Sequence, residues 1–168
     1  MDLVMVEAFM KAATPGENHA LLKPLAGDWS AMSKVWMDPS APPDQSNGIC
    51  ERHWINDGRF LVETYSGQAG GQRFDGFGIT GYDNVKKKFC NVWTDSMSTG
   101  FMVSYGTYDP ATKTINYIGE YEDPITNKPK KYRCAMKLLG PDKHVFEMFD
   151  TGPDGNEFRN LETTYTKK

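Results

Sequence analysis

Cysteine is scarce in this chain of 168 residues, and Cys50, Cys90 and Cys134 stand far apart with no C-x-x-C pair. An odd, scattered set excludes a disulfide scaffold. Each lies in a strand-like stretch with no neighbouring base, so all three read as reduced packing residues. Histidine is equally sparse: His19, His53 and His144 lack the i, i+4 spacing of a metal site, and no metal or cofactor is expected. The one basic run is Lys86-Lys87-Lys88, and 19 Lys and Arg against 22 Asp and Glu leave a net charge of −3 and a pI of 5.6. That balance offers no broad footprint for nucleic acid or an anionic membrane, so neither is an expected partner. No apolar run approaches the ~18 residues of a membrane span. Asp2 and Glu7 occupy the place of a basic leader, so the expected location is cytoplasmic. G-x-S-x-G, S-x-x-K and H-x-E with C-x-x-C are all missing, so no catalytic residue can be nominated from spacing.

What the sequence does contain falls into two parts. Residues 1–26 read as a helical segment, Leu3 to Ala12 and then Glu17 to Leu25, broken at Thr14-Pro15-Gly16. Residues 27–168 read as one antiparallel β-barrel domain. Alternating stretches rich in Val, Ile, Thr, Tyr, Phe and Trp are cut by turn signals at 39–47, 56–58, 67–71, 83–84, 95–96, 109–110, 123–124, 140–142 and 152–155. These define ten strands with no room for a crossover helix. Ten antiparallel strands would expose two long edges in an open sheet, so the expected fold is all-β, an up-and-down barrel, with a two-sheet sandwich as the rival.

Two motifs dissolve in context. Gly76-Phe77-Gly78-Ile79-Thr80-Gly81 matches G-x-G-x-x-G, but a turn and another strand follow it, leaving no helix N-terminus for a phosphate. Asp150 to Leu161 resembles a calcium loop, yet Gly152 and Leu161 replace two ligands, so it reads as a hairpin.

Hairpin geometry supplies candidate site residues. A two-residue loop at Asp57-Gly58 sets Arg52 opposite Glu63, an arrangement typical of a solvated outer face. The other face then points inward, with Glu51 and His53 among Ile49, Ile55, Phe60, Val62 and Thr64, as a lined cavity with few polar groups requires. His53 is read either as a satisfied core histidine or as a ligand contact. A loop at Asp83-Asn84 pairs Phe74 with Trp93, Gly76 with Asn91 and Gly78 with Phe89, where the glycines either curve the barrel or leave room for a ligand. Phe101, Val103 and Tyr105, with Tyr132, Cys134, Met136 and Leu138, extend the apolar lining.

Leu25-Ala26-Gly27-Asp28-Trp29 resembles the start of the calycin barrels, the superfamily of lipocalins and fatty-acid-binding proteins. That resemblance implies that Trp29 closes one end of the barrel and stacks under Arg159 of the last strand. More closely, the chain resembles a mainly bacterial family of uncharacterised proteins, domain of unknown function 1579. The resemblance rests on His19-Ala20-Leu21-Leu22 through Trp29, Asp57-Gly58-Arg59-Phe60, Gly76-Phe77-Gly78 with Gly81-Tyr82-Asp83, Trp93-Thr94-Asp95, Gly106-Thr107-Tyr108-Asp109 and Leu161-Glu162-Thr163-Thr164-Tyr165. It covers nearly everything after position 18. The leading expectation is a barrel binding a small apolar or amphipathic ligand through Glu51, His53, Phe60, Val62, Phe74, Phe89, Asn91, Trp93 and Tyr105. The alternatives are an enzyme using the Glu51/His53 pair, a nitrobindin-like haem barrel ligated by His144, and an assembly module; homodimer formation is left open.

Overall fold

The computed structural model describes residues 2–152 and 154–168. Helix α1 spans Leu3–Ala13 and starts where the Asp2 carboxylate accepts a hydrogen bond from the Val4 amide. The expected second helix is shorter: α2 covers Glu17–Ala20, and a 3-10 turn follows at Lys23–Leu25. Pro24 is the reason, since it lacks an N–H and disfavours helical backbone at the residue before it.

Ten strands follow: β1 Gly27–Val35, β2 Asp44–Ile55, β3 Phe60–Ala69, β4 Gln72–Asp83, β5 Lys88–Asp95, β6 Met102–Asp109, β7 Thr114–Asp123, β8 Lys128–Gly140, β9 Lys143–Thr151 and β10 Glu157–Lys167. Each pairs antiparallel with the next. The ring closes where β1 meets β10, from Trp29 opposite Lys167 to Val35 opposite Leu161. The fold is therefore a closed up-and-down barrel and not a sandwich. The G-x-G-x-x-G stretch lies inside β4, and no helix among the described residues is long and apolar enough to cross a membrane.

Up-and-down order sorts the connections between two ends. The β2–β3, β4–β5, β6–β7 and β8–β9 turns share the base with the helical segment, and the other five connections surround the mouth. Leu22 and Leu25 plug the base, packing with Leu61, Phe89 and Ile115. The Trp29 indole N–H donates to the Leu25 carbonyl at 2.9 Å and ties the plug to β1.

The turns fix register. Asn56, Asp57 and Gly58 all take positive φ, and Arg52 pairs with Glu63 as expected. The β4–β5 register differs from the expected one by four residues, with Gly76 opposite Asp95 and Gly78 opposite Trp93. Asp83 causes the shift: its carboxylate accepts from the Val85 and Lys86 amides and its carbonyl from the Lys87 amide, making a four-residue turn that ends with Lys87 at φ 54. An even shift keeps every side chain on its expected face. It also changes what Gly76 and Gly78 do, because both lie beneath the Trp93 indole, and a methyl group at Gly76 would overlap that ring. Neither leaves a ligand-sized gap. Gly76→Ala is expected to cost about 2 kcal/mol in urea unfolding. A cost below about 0.5 kcal/mol would show that the indole moves freely.

Candidate functional site

Packing decides which face of β2 and β3 points inward, and it reverses the expected one. Cys50, Arg52 and Trp54 of β2 face the interior with Leu61, Glu63 and Tyr65 of β3, and Cys50, Leu61 and Tyr65 are buried. Glu51, His53 and Phe60 are exposed on the outer surface, and Val62 shares that outer face with His53 and Ile79. Apolar area sets the orientation: Trp54, Leu61 and Tyr65 can only be buried inward if Arg52 and Glu63 go with them, and the pair enters because each charge brings its counter-ion.

Inside, the Arg52 side chain is 2 % exposed, and its Nε donates to Glu63 Oε2 at 2.7 Å. Its Nη1 lies 2.7 Å from Nε2 of His144, a residue 1 % exposed. A guanidinium can only donate, so His144 accepts at Nε2 and carries its proton on Nδ1. The imidazole is stacked on Tyr165 at 4.6 Å and edge-on to Trp29 at 4.3 Å, while the guanidinium lies over the Tyr165 ring at 4.5 Å. Burial, then the charges of Arg52 and Lys167, push the His144 pKa down to about 2, so the ring is neutral at any ordinary pH. Burial opposes the charge on Arg52, but Glu63 foremost, together with Cys50 and Tyr165, moves its pKa up. Burial likewise raises the Cys134 thiol to about 12, leaving it inert. A second polar group sits between β1, β3 and β10: the Ser33 hydroxyl is 2.8 Å from Thr163 Oγ1 and 3.4 Å from the Tyr65 hydroxyl.

Arg52, Glu63, Tyr65, Tyr165, Ser33 and Thr163 bound a cavity of about 290 Å³ whose apolar wall includes Phe74, Trp93, Met102, Met136, Phe146 and Met148. Of the sequence-derived candidates, Phe74, Asn91, Trp93, Tyr132, Cys134 and Met136 line it. Asn91 Nδ2 donates to Thr80 Oγ1 at 2.8 Å, and the Trp93 indole donates to Asp95 at 2.8 Å. Phe89 faces inward but is packed into the base plug. Tyr105 faces outward beneath Lys86, together with Val103, because Gly106 must point inward to make room for Tyr117. Sequence reasoning placed Arg52 and Glu63 on the outer face, read His144 only as a haem ligand, and missed Tyr65 and Tyr165. The available signal was the alternation of Cys50 and Trp54 with Arg52, and of Leu61 and Tyr65 with Glu63.

Three expectations fail on this geometry. Arg159 does not stack on Trp29: it pairs with Glu147 at 2.8 Å and lies over Trp36, while Lys167 is the cation over Trp29. Lys167 is the β10 residue opposite Trp29, and Arg159 is eight positions away, roughly 27 Å along an extended strand. The Glu51/His53 pair is outside the barrel and cannot act as a buried base with its partner. His144 offers iron no coordination position, since Arg52 occupies Nε2 and Nδ1 is buried against protein. Among the described residues no group of three or more His, Cys, Asp or Glu side chains could hold a metal ion.

The architecture has solved counterparts. The chain is similar to Rv2717c from M. tuberculosis at 14 % identity, over 92 % of this chain and 99 % of that one, with a TM-score of 0.66. It is also similar to the S-type phycobiliprotein lyase CPES from Guillardia theta at 10 % identity, over 95 % and 97 % of the two chains, with a TM-score of 0.64. At such identities the likeness is one of fold. No curated protein matches the sequence. The family model described as a protein of unknown function, DUF1579, matches residues 14–167, which span the whole barrel and the plug beneath it, and the chain belongs to that family.

Proposed function

We propose that the barrel interior binds a small, largely apolar ligand whose polar end lies against the Arg52–Glu63 pair. The observation that carries this reading is the cavity itself: about 290 Å³ with aromatic and methionine walls and one neutralised ion pair in its lining. That size falls at the lower end of known small-molecule sites, and methionine walls adapt to ligand shape. Charge refines the ligand class. Arg52 and Glu63 cancel, and Asp95 adds a negative charge to the lining, so an entering carboxylate meets net repulsion while an alcohol, amide or amine does not.

Displacement of Nile red, an uncharged probe, tests this. Decanol and decylamine are expected to compete at least about tenfold better than decanoate, a difference of ~1.4 kcal/mol. Asn91→Trp, which fills the cavity beside Trp93, is expected to abolish probe binding without loss of the folded state. Equal binding by wild-type protein and the filled variant, or a preference for decanoate, would overturn the assignment.

A further inference from the structure

One apolar face remains uncovered at the base. Helix α1 buries none of its side chains. Met5, Val6, Phe9, Met10 and Ala13 share one side of it, opposite Glu7 and Lys11, and Phe9 and Met10 are 69 % and 64 % exposed. The family match begins at residue 14, so this helix is an addition to the shared barrel. It is nevertheless held in place. Asn84 Nδ2 donates to the carbonyls of Lys11, Ala12 and Thr14, and Arg59 Nε donates to that of Ala13. These bonds set α1 beside the β4–β5 turn, where Val85 is exposed, and Lys11 and Lys87 line the groove between them.

Charge is sorted along the barrel axis in the same sense. Residues 2–28, 55–60, 83–88, 109–114, 139–144 and 166–168, which form the base, hold ten Lys and Arg against eight Asp and Glu. The mouth stretches 36–44, 70–75, 95–101, 122–130 and 150–159 hold four against nine. The net of −3 therefore conceals a base of +2 and a mouth of −5. Lys86, Lys87 and Lys88, the only three consecutive basic residues in the sequence, lie on the turn beside α1, whose apolar face is uncovered.

We propose that the base docks on an anionic lipid bilayer. The apolar face of α1 enters the boundary between headgroups and acyl chains, Lys86, Lys87 and Lys88 lie over the phosphates, and the acidic mouth faces away. Apolar insertion and cation attraction add in such a contact, and neither suffices alone. A second copy docked base to base would instead bring two Lys86–Lys88 clusters together, so charge disfavours self-association through this face.

Vesicle flotation tests the proposal, with phosphatidylcholine vesicles that contain or lack phosphatidylglycerol. Wild-type protein is expected to float with the anionic vesicles and not with phosphatidylcholine alone, and added salt is expected to weaken binding. Phe9→Asp is expected to reduce partitioning at least about tenfold. Lys87→Asn with Lys88→Gln is expected to reduce it by roughly 25-fold, about fivefold per cation; asparagine suits the positive φ at position 87. Neither substitution touches the core, and an unchanged thermal midpoint confirms that the variants are folded. Flotation that ignores lipid charge, or that survives both variants, overturns the proposal. So does sedimentation showing wild-type dimers that Phe9→Asp dissociates while no vesicle binding occurs, since α1 would then cover a second copy.

Discussion

Replacing Arg52 by Met is expected to destabilise the protein by about 3–5 kcal/mol in urea unfolding, the largest single-residue effect anticipated outside the aromatic core. Arg52 is nearly solvent-free and spends its Nε on Glu63 and its Nη1 on His144. Removing it strands the Glu63 carboxylate against Cys50 and Tyr165 with no counter-ion. The double variant Arg52→Met/Glu63→Leu removes both charges and is expected to recover most of that loss, because a buried ion pair is worth little relative to well-packed apolar groups. The two curves together separate a stranded charge from lost packing. A single variant costing under about 1 kcal/mol would mean that Glu63 is hydrated from the cavity.

The second large effect is on the acid side of neutrality. In the unfolded chain His144 titrates near 6.5, and in the barrel its pKa is down to about 2. Between those values the unfolded state holds a proton that the native state lacks. Stability from this residue is therefore complete above pH 6.5 and is lost as the pH falls, by ~1.4 kcal/mol per unit. From pH 6.5 to 4.5 the loss amounts to about 2.3 kcal/mol. His19 is shifted down as well, by burial first and then by the charge of Arg59, and adds to the slope in the same sense. His144→Gln keeps an acceptor for Arg52 but cannot titrate. The difference between wild type and this variant, measured by urea unfolding at three pH values across the window, isolates His144. Parallel profiles would show that the ring gains a proton without leaving its place.

The barrel was legible because its punctuation is chemical. Asn-Asp-Gly, Asp-Pro and Gly-Pro-Asp sequences mark reversals whatever the strands between them do, and the short links exclude parallel pairing. The inward faces of β4, β5 and β8 could be read because Phe74, Trp93, Tyr132 and Met136 alternate with smaller or more polar residues. β2, β3 and β6 misled for two separate reasons. A charged pair usually marks an outer face, but Arg52 and Glu63 neutralise each other, and the aromatic residues on either side carry them in. On β6 Val103 and Tyr105 face outward because Gly106 must lie beneath Tyr117 of β7, a constraint that lies on another strand. The His144–Arg52 contact joins residues 92 positions apart and leaves no trace in local pattern.

The seam between β1 and β10 has a kinetic consequence. Every other strand pair can zip from its own turn, but this one, including the Ser33–Thr163 bond, brings together residues 130 apart. The closure entropy of so long a loop must be met before the contact gives anything back, so the seam is expected to form late in folding. Until then the chain is an open, curling sheet with two bare edges, one at each end of the strand order. In that interval β1 and β10 are each free to pair with the edge of another molecule. Refolding yield should fall as protein concentration rises, even though the finished ring offers no edge at all.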